Sequence, residues 1–447
     1  MKNKYLAWLA AAALLAGCDS PLEVDPTASI DSETALATPR GIELGLNGAY
    51  RSLQSGSLYG LEDMVFPDLY ADNLDFSGTF QTHREVGLRN LSTSNGAVLG
   101  IWQAAYVGIN RTNNLLEAID NVTALTAAQR SQYRGEALFI RALNYAILTR
   151  YFSDVPLVTT ASRGVGPQSL VSRTPRADVY TQIQTDLEEA AMLLPAGRVQ
   201  GRATQDAANA LLARVYLEDG EYALARDKAT LLINNTTYSL PATFRDIFTV
   251  KNSSESIFEL QFSVNNANSQ SFWFYPQALG GRWGFTPSVN LLNAFEAGDE
   301  RRDASILTAG AGNCPVAPCR YGNKYFRIAN GDDNVIALRL AEMYLIRAEA
   351  NAQLNAPAAT VRADIDVVRN RAGLANLAVT VTSQTDLLTA VLQERRVEFA
   401  FEGHRFFDLR RLGRAETVLT LAPERLLWPI PQAERDVNAN LTQNNGY

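Results

Sequence analysis

Histidine, cysteine and methionine are scarce in this 447-residue chain: two, three and four copies. With two histidines, a Ser-His-Asp or Cys-His catalytic site would have to use His83, since His404 sits in a dense charged and apolar motif. No GxSxG nucleophile elbow is present. Neither a GxxxxGK[ST] phosphate loop nor an HExxH metal helix occurs. No long basic stripe runs through the sequence, and the formal charge is −7. Both facts argue against a nucleic-acid partner. The apolar run Tyr5–Leu15 is too short to span a bilayer. Carboxylates are plentiful, so a glycosidase pair is not excluded, because such a pair needs only closeness in space.

The start of the chain reads MKNKYLAWLAAAALLAGC. Two lysines, a short apolar segment and small residues before Cys18 fit a secretory leader ending in a bacterial lipobox. Residues 1–17 are therefore expected to be removed, with Cys18 acylated. Several acyl chains, at about 0.8 kcal/mol per buried CH2, anchor a protein stably. Residues 18–37, rich in Pro, Ser, Thr and acids, read as a flexible tether. An exported chain permits oxidation. Cys314 and Cys319, in CPVAPC, then read as a small disulfide-closed loop, with a metal site disfavoured because no His or further Cys lies nearby.

Helical periodicity dominates the rest. Thr38-Pro39 opens a helix to about Leu53, and others are expected over 98–119, 127–152 and 176–194. Asp154-Val155-Pro156 and Pro195 stop the last two. Residues 56–97 read as irregular. Residues 204–235 form a helix pair turning at Gly220, with Ala207, Leu211, Ala213 and Tyr216 alternating small and large. A second pair is 337–353 with 360–373. Small facing large is the logic of tetratricopeptide repeats, here degenerate. Residues 236–332 break this rhythm, with a short strand at 256–262 and a short helix near 288–297. The fold class is thus mainly α, a repeat-like scaffold with a less regular, loop-rich C-terminal part containing short strands. We divide it into a helical part at about 38–235, an insertion at about 236–332 and terminal helices at about 333–447.

Aromatic rings in polar loops carry the functional signal. Tyr70, Phe76, Phe80 and His83 share one segment with Asp72, Asn73 and Arg84. Phe272, Trp273, Phe274, Tyr275 and Trp283 share another with Arg282. Flat rings stack on the apolar faces of sugars while amides, carboxylates and guanidinium groups bind hydroxyls. Tyr70, Asp72, Asn73, Phe80, His83, Trp273, Tyr275, Arg282 and Trp283 are the candidate ligand contacts. Asp299, Glu300 and Asp303, or Asp332 and Asp333, read as solvated acidic loops, with a structural calcium ion as the alternative.

Three stretches point to a family. ERRVEFAFEGHRFFDLRRLG, inside Leu392–Gly413, mixes charges with buried-type residues and ends its helical half at Gly403, read as a C-cap. Glu394, Arg395, Arg396, Glu398, Arg405 and Asp408 are expected to form a fixed ion-pair network there. This motif, Trp428–Tyr447 and RALNYAILTRYFSDVPLVT resemble the SusD/RagB family of surface-exposed nutrient-binding lipoproteins. The resemblance implies four tetratricopeptide-like helix pairs, carbohydrate binding without catalysis and a lid role over a TonB-dependent, SusC-like outer-membrane transporter. Peptide or other cargo, or a lipid-anchored hydrolase, are the alternatives. Asp19 resembles an enteric inner-membrane retention signal, but the family's bacteria sort differently, so an outer-membrane, cell-surface address is expected.

Overall fold

The computed structural model describes residues 32–164, 166, 170–310 and 312–447. The leader, Cys18 and most of the expected tether lie outside them. Where the description starts, Ser32–Ala35 already form a helical turn and Leu36 is buried in the core. The fold thus begins earlier than the expected boundary at residue 38.

Helix starts follow local capping chemistry. Helix α1 (Pro39–Leu53) has Pro in its first turn and Thr38 as cap, whose hydroxyl accepts from the Gly41 N–H at 3.0 Å. Between α1 and the next long helix lie α2 (Glu62–Tyr70) and α3 (Gln81–Gly87), two helices in a stretch expected to be irregular. Asn95 caps α4 (Gly96–Ile119), and a Thr126–Gln129 capping box opens α5 (Ala127–Phe152). Helices α6 (Arg176–Leu193), α7 (Gln205–Asp219) and α8 (Tyr222–Ile233) follow, with Gly220 at φ +85° making the turn between the last two. After the insertion come α9 (Leu340–Gln353), α10 (Ala358–Arg371), α11 (Gln384–Glu398), α12 (Arg405–Arg411) and α13 (Gln432–Val437).

The long helices stack in chain order. Each packs on its neighbour from α4 to α8, α1 covers α4, and α9 continues the stack on α8 across the whole insertion. Helix α7 is buried nearly all round through Ala207, Ala208, Ala210, Leu211 and Ala213, the profile of a central helix. Polar pins set the loops. Asn113, fully buried in α4, donates to the carbonyls of Val158 and Thr160 at 2.9 and 3.0 Å, and Arg141 holds Asp186 at 2.7 Å.

Among the described residues there are three antiparallel two-stranded pairs, each with at least one strand in the insertion. They are β1 (Leu74–Phe76) with β3 (Phe285–Pro287), β2 (Ser256–Leu260) with β6 (Val335–Arg339), and β4 (Ile306–Ala309) with β5 (Cys319–Gly322). Two strands alone are marginal in water. Burial of every residue of β2 and β6 supplies what the ladder lacks.

The expected ion-pair motif is the centre of a larger lattice. Glu398, at the end of α11, accepts from Arg339 and Arg371 at 2.5 Å each and from Arg301 at 3.1 Å. Glu255 joins Arg339 and Arg371 at 2.7 and 2.8 Å, and Glu402 joins Arg339 and Lys324 at 2.9 and 2.6 Å. Arg301 also holds Glu394 and, at 2.8 Å, Asp299. Arg395 and Arg411 share Asp408 at 2.8 Å each. Arg396 and Arg405 share Asp72 at 2.9 and 2.8 Å.

Two expectations need correction here. Asp299 is no solvated loop acid, because its carboxylate is buried against Arg301; Asp332 pairs with Lys251 at 3.1 Å, and Asp333 accepts the N–H groups of Phe326 and Arg327 at 2.8 and 2.7 Å. Among the described residues no group of three such side chains converges on a cation position. Gly403 is not the cap of α11, which ends at Glu398. It lies at φ +77° where an added Cβ would run into the Asp63 carbonyl, so its role is close approach to α2.

Glu398→Ala would leave three buried guanidinium groups short of a partner and is expected to cost about 3–5 kcal/mol in chemical denaturation. Arg405→Ala should cost less, since Arg396 still neutralises Asp72. Acid should act on the same lattice. Burial alone would raise the Asp408 carboxyl, but Arg395 and Arg411 outweigh it and hold it down at about 2. A depressed carboxylate stabilises the fold above its unfolded pKa and loses that contribution as pH falls through the folded one. The melting temperature is therefore expected to begin dropping near about pH 4 and to go on falling to about pH 2.

Candidate functional site

The two ring-bearing segments, 200 residues apart in sequence, meet. Pairing of β1 with β3 sets Phe76 opposite Phe285 and carries the following turn against the second loop. The Ser77 N–H donates to the Gly284 carbonyl at 2.9 Å, and the Ser77 hydroxyl donates to the Trp283 carbonyl. Within the second loop, the N–H groups of Arg282, Trp283 and Gly284 donate to the carbonyls of Phe272, Tyr275 and Trp273 at 2.7, 2.7 and 2.8 Å.

Close packing explains the glycines. A Cβ on Gly78 would lie 2.6 Å from the Phe76 ring, one on Gly284 2.5 Å from Trp273, and one on Gly281 inside the Tyr275 carbonyl. Trp283 itself is left-handed at φ +53°, a strained setting for a bulky residue, fixed by its indole N–H donating to the Arg320 carbonyl at 2.9 Å.

A cleft of about 350 Å³ results, lined by the Ser77–Thr79 turn, Phe272, Gln277, Arg282, Trp283 and Asn313. Beside it Phe80 meets Trp273 edge to face at 5.4 Å, and Arg282 lies over both rings at 4.4 and 5.1 Å. Phe80 and Phe272 are each 43% exposed, large for phenylalanine and unexplained by folding. Cys314 and Cys319 are disulfide-bonded, with Cα atoms 5.5 Å apart, in the loop that brings Asn313 to the rim. On the other side of the 77–78 turn a second hollow of about 430 Å³ holds Asp75, Arg84 and Arg89.

The candidate residues divide. Arg282 and Trp283 line the cleft, and Phe80 and Trp273 lie beside it under Arg282. His83 lies beneath it, buried, 4.8 Å from the Trp273 ring and stacked on Phe80 at 5.7 Å. Tyr70, Asp72, Asn73 and Tyr275 do not join them. Tyr70 is fully buried against Phe406 and Trp428, with its hydroxyl donating to the Arg425 carbonyl at 2.8 Å. Asp72 is spent on two arginines, and Asn73 is buried, donating to Asp68 and accepting from Arg396. The Tyr275 hydroxyl donates to Asn323 at 2.6 Å, and burial pushes it up to about 12. These four are frame residues, drawn inward because their polar atoms find partners there. Gln277 and Asn313 were not foreseen, since a lone amide in a loop carries no distinguishing pattern.

A larger cavity, about 880 Å³, lies elsewhere, between α4, residues Pro156, Val158, Ser162, Leu170 and Val171, and α13. Trp102 forms part of its wall but is only 3% exposed, the half-buried Tyr106 donates its hydroxyl to the Pro156 carbonyl at 2.8 Å, and Val107, Val171 and Val437 make much of the rest aliphatic. It offers size with one half-buried ring whose hydroxyl is already engaged, whereas the smaller cleft and its rim carry the exposed Phe80 and Phe272, so the smaller cleft is the better candidate.

Two family models match the chain. The SusD family model matches residues 320–426, and one described as starch-binding and associating with the outer membrane matches residues 22–217. The chain belongs to the SusD/RagB family. A SusD-like protein P2 of Formosa agariphila is 28% identical over the full length of both chains. The crystal structure of a SusD superfamily protein from Bacteroides vulgatus superposes with a TM-score of 0.83 at 25% identity, covering 92% of this chain and 99% of that one. A laminarin-binding SusD-like protein gives 0.82 at 26% identity, covering 92% and 100%. The mainly helical fold is thus that of SusD superfamily proteins. In this SusD-family chain the 272–283 ring loop falls between the two matched segments, whereas the Ser77–Thr79 turn on the other side of the cleft lies within the first. No helix among the described residues is long and apolar enough to cross a membrane.

Gly284→Val is expected to push Trp273 out of register and change the near-ultraviolet circular dichroism, leaving the far-ultraviolet helical signal intact. An unaltered near-ultraviolet spectrum would mean that the glycine is not needed for ring placement.

Proposed function

We propose that this protein captures an oligosaccharide in the ring cleft and delivers it, as a lid, to a TonB-dependent outer-membrane transporter of the SusC-like kind. The observation that carries the reading is an open cleft lined by Phe272, Trp283, Arg282 and two amides, with the Phe80–Trp273 ring pair beside it under the same Arg282. Rings stack on sugar faces, while Gln277, Asn313 and the guanidinium bond to hydroxyls. The family's starch-binding description and the laminarin-binding relative support glycan over peptide cargo. Among the described residues the cleft lining contains no carboxylate, whereas hydrolysis needs a flanking pair, so its chemistry suits binding without bond cleavage. Lipid attachment at Cys18 would hold the molecule at the outer-membrane surface. A lid must also release its load. Affinity near 1 μM, about −8 kcal/mol, is expected from a few stacked rings and hydrogen bonds after ordering costs.

Titration calorimetry with a panel of neutral oligosaccharides, laminarin fragments among them, tests this. Trp273→Ala and Phe80→Ala are expected to weaken binding about tenfold each, some 1.4 kcal/mol, with the melting temperature little changed in Phe80→Ala and lowered, without unfolding, in Trp273→Ala, whose ring packs on His83 and Phe285. The sugar should be recovered uncut after hours. Folded variants that bind as the parent does would remove the cleft from the account. Cleaved sugar would remove the binding-only mechanism. Saturable binding abolished by Tyr106→Ala instead would move cargo to the 880 Å³ cavity.

A further inference from the structure

A polar cavity of about 290 Å³ shares no residue with the ring cleft. It opens where α5 ends, α6 begins, α7 ends and α12 passes. Four guanidinium groups, those of Arg150, Arg176, Arg410 and Arg411, line it, against the single carboxylate of Glu218.

Their partners are unequally shared. Arg411 is satisfied by Glu349 and by Asp408, at 2.7 and 2.8 Å from its Nη2. Arg176 reaches Asp219 at 3.2 Å and lies over the Tyr180 ring at 4.0 Å. Glu218 accepts the Tyr180 hydroxyl at 3.2 Å and stands 3.4 Å from Arg150 Nε. That Nε makes no hydrogen bond, although Arg150 is only 8% exposed. Arg410 has no carboxylate partner among the described residues. Its Nη1 donates to the carbonyls of Arg150 and Leu426, at 2.6 and 3.2 Å, and the one carboxylate that acts on it through space, Glu218, is shared with Arg150 and Tyr180.

A half-buried guanidinium short of a counter-charge, such as that of Arg410, is costly, and a bound anion relieves the cost. Burial, the largest influence, lowers the Arg410 guanidinium to about 10, which still leaves it charged at neutral pH. The flat fork of arginine is matched to two oxygens of a carboxylate, sulfate or phosphate. At about 290 Å³ the cavity sits at the small end of ligand sites, roughly 300–1,000 Å³. It has room for one oxyanion or one charged sugar residue and none for an oligomer.

We propose that this cavity is an oxyanion site in which Arg410 and Arg176, with Arg150 behind them, clasp a sulfate, phosphate or carboxylate group. The anion is either a free inorganic ion or the charged substituent of a sugar. Neither the ring cleft nor the lid role is needed for it, so it stands or falls separately.

Calorimetric titration of the full chain with sodium sulfate, at ionic strength held constant with sodium chloride, tests the proposal. Parallel arms use a sulfated monosaccharide and its uncharged parent sugar. Saturable sulfate binding is expected, weakened at least tenfold in Arg410→Gln and in Arg176→Gln, and partly retained in Arg410→Lys. Sulfated sugar binding more tightly than sulfate identifies a sugar substituent; sulfate alone binding identifies a free ion. Should Arg410→Gln fail to fold, the partly exposed Arg176 decides through its own variant. No saturable heat from sulfate or the sulfated sugar, or parental affinity in folded Arg176→Gln, overturns the proposal.

Discussion

Glu398 takes hydrogen bonds from Arg301, Arg339 and Arg371, and each comes from a different part of the chain. One arginine belongs to the insertion, one closes strand β6 and one ends helix α10. A carboxylate stripped of water is affordable only when its oxygens are saturated and its charge is matched. Arg371, Arg339 and Arg301 do both, outweighing the upward pull of burial and holding the Glu398 carboxyl far below the usual carboxylate range. The irregular insertion is therefore fastened to the helical stack by buried polar groups that find their partners in one another. Lys324 and Glu402 extend the same fastening, and Arg395, Asp408 and Arg411 carry it to α12.

The cleft depends on that fastening. Its rings stand on loops, and loops hold a geometry only when the elements under them are rigid. One side grows from the turn after β1, the other from the segment before β3, and the short pairing between them sets their register. Glycines at 78, 281 and 284 let the backbone approach the rings closely, and the left-handed Trp283 is the strain left over. Rings that the core does not absorb remain at the surface, where Arg282 covers two of them. Polar residues expected beside those rings, Asp72 and Asn73, were captured by the frame instead.

Much of the frame was legible before any coordinates. Helices α1, α4, α5 and α6 begin and end close to their caps and prolines, because capping and helix breaking are local events. The pair α7–α8 was visible through its alternation of alanine with leucine and tyrosine. Helices α2 and α3 were not. Pro67 inside α2 and the glycines and acids around both weaken every local signal, and burial in the core supplies the stability that propensity does not. Gly403 showed the opposite failure: a glycine after a helix reads as a cap, whereas here it makes room for another helix.

The sequence by itself determined the helical repeat, the charged motif near the C-terminus and the two ring-rich segments, since each is written in neighbouring residues. Only the tertiary structure decided which rings face outward, which acids are consumed by arginines and which guanidinium groups lack a counter-charge. Those are questions of partnership between residues up to hundreds of positions apart. Burial and ion pairing select partners by distance in space, and no local pattern encodes that distance.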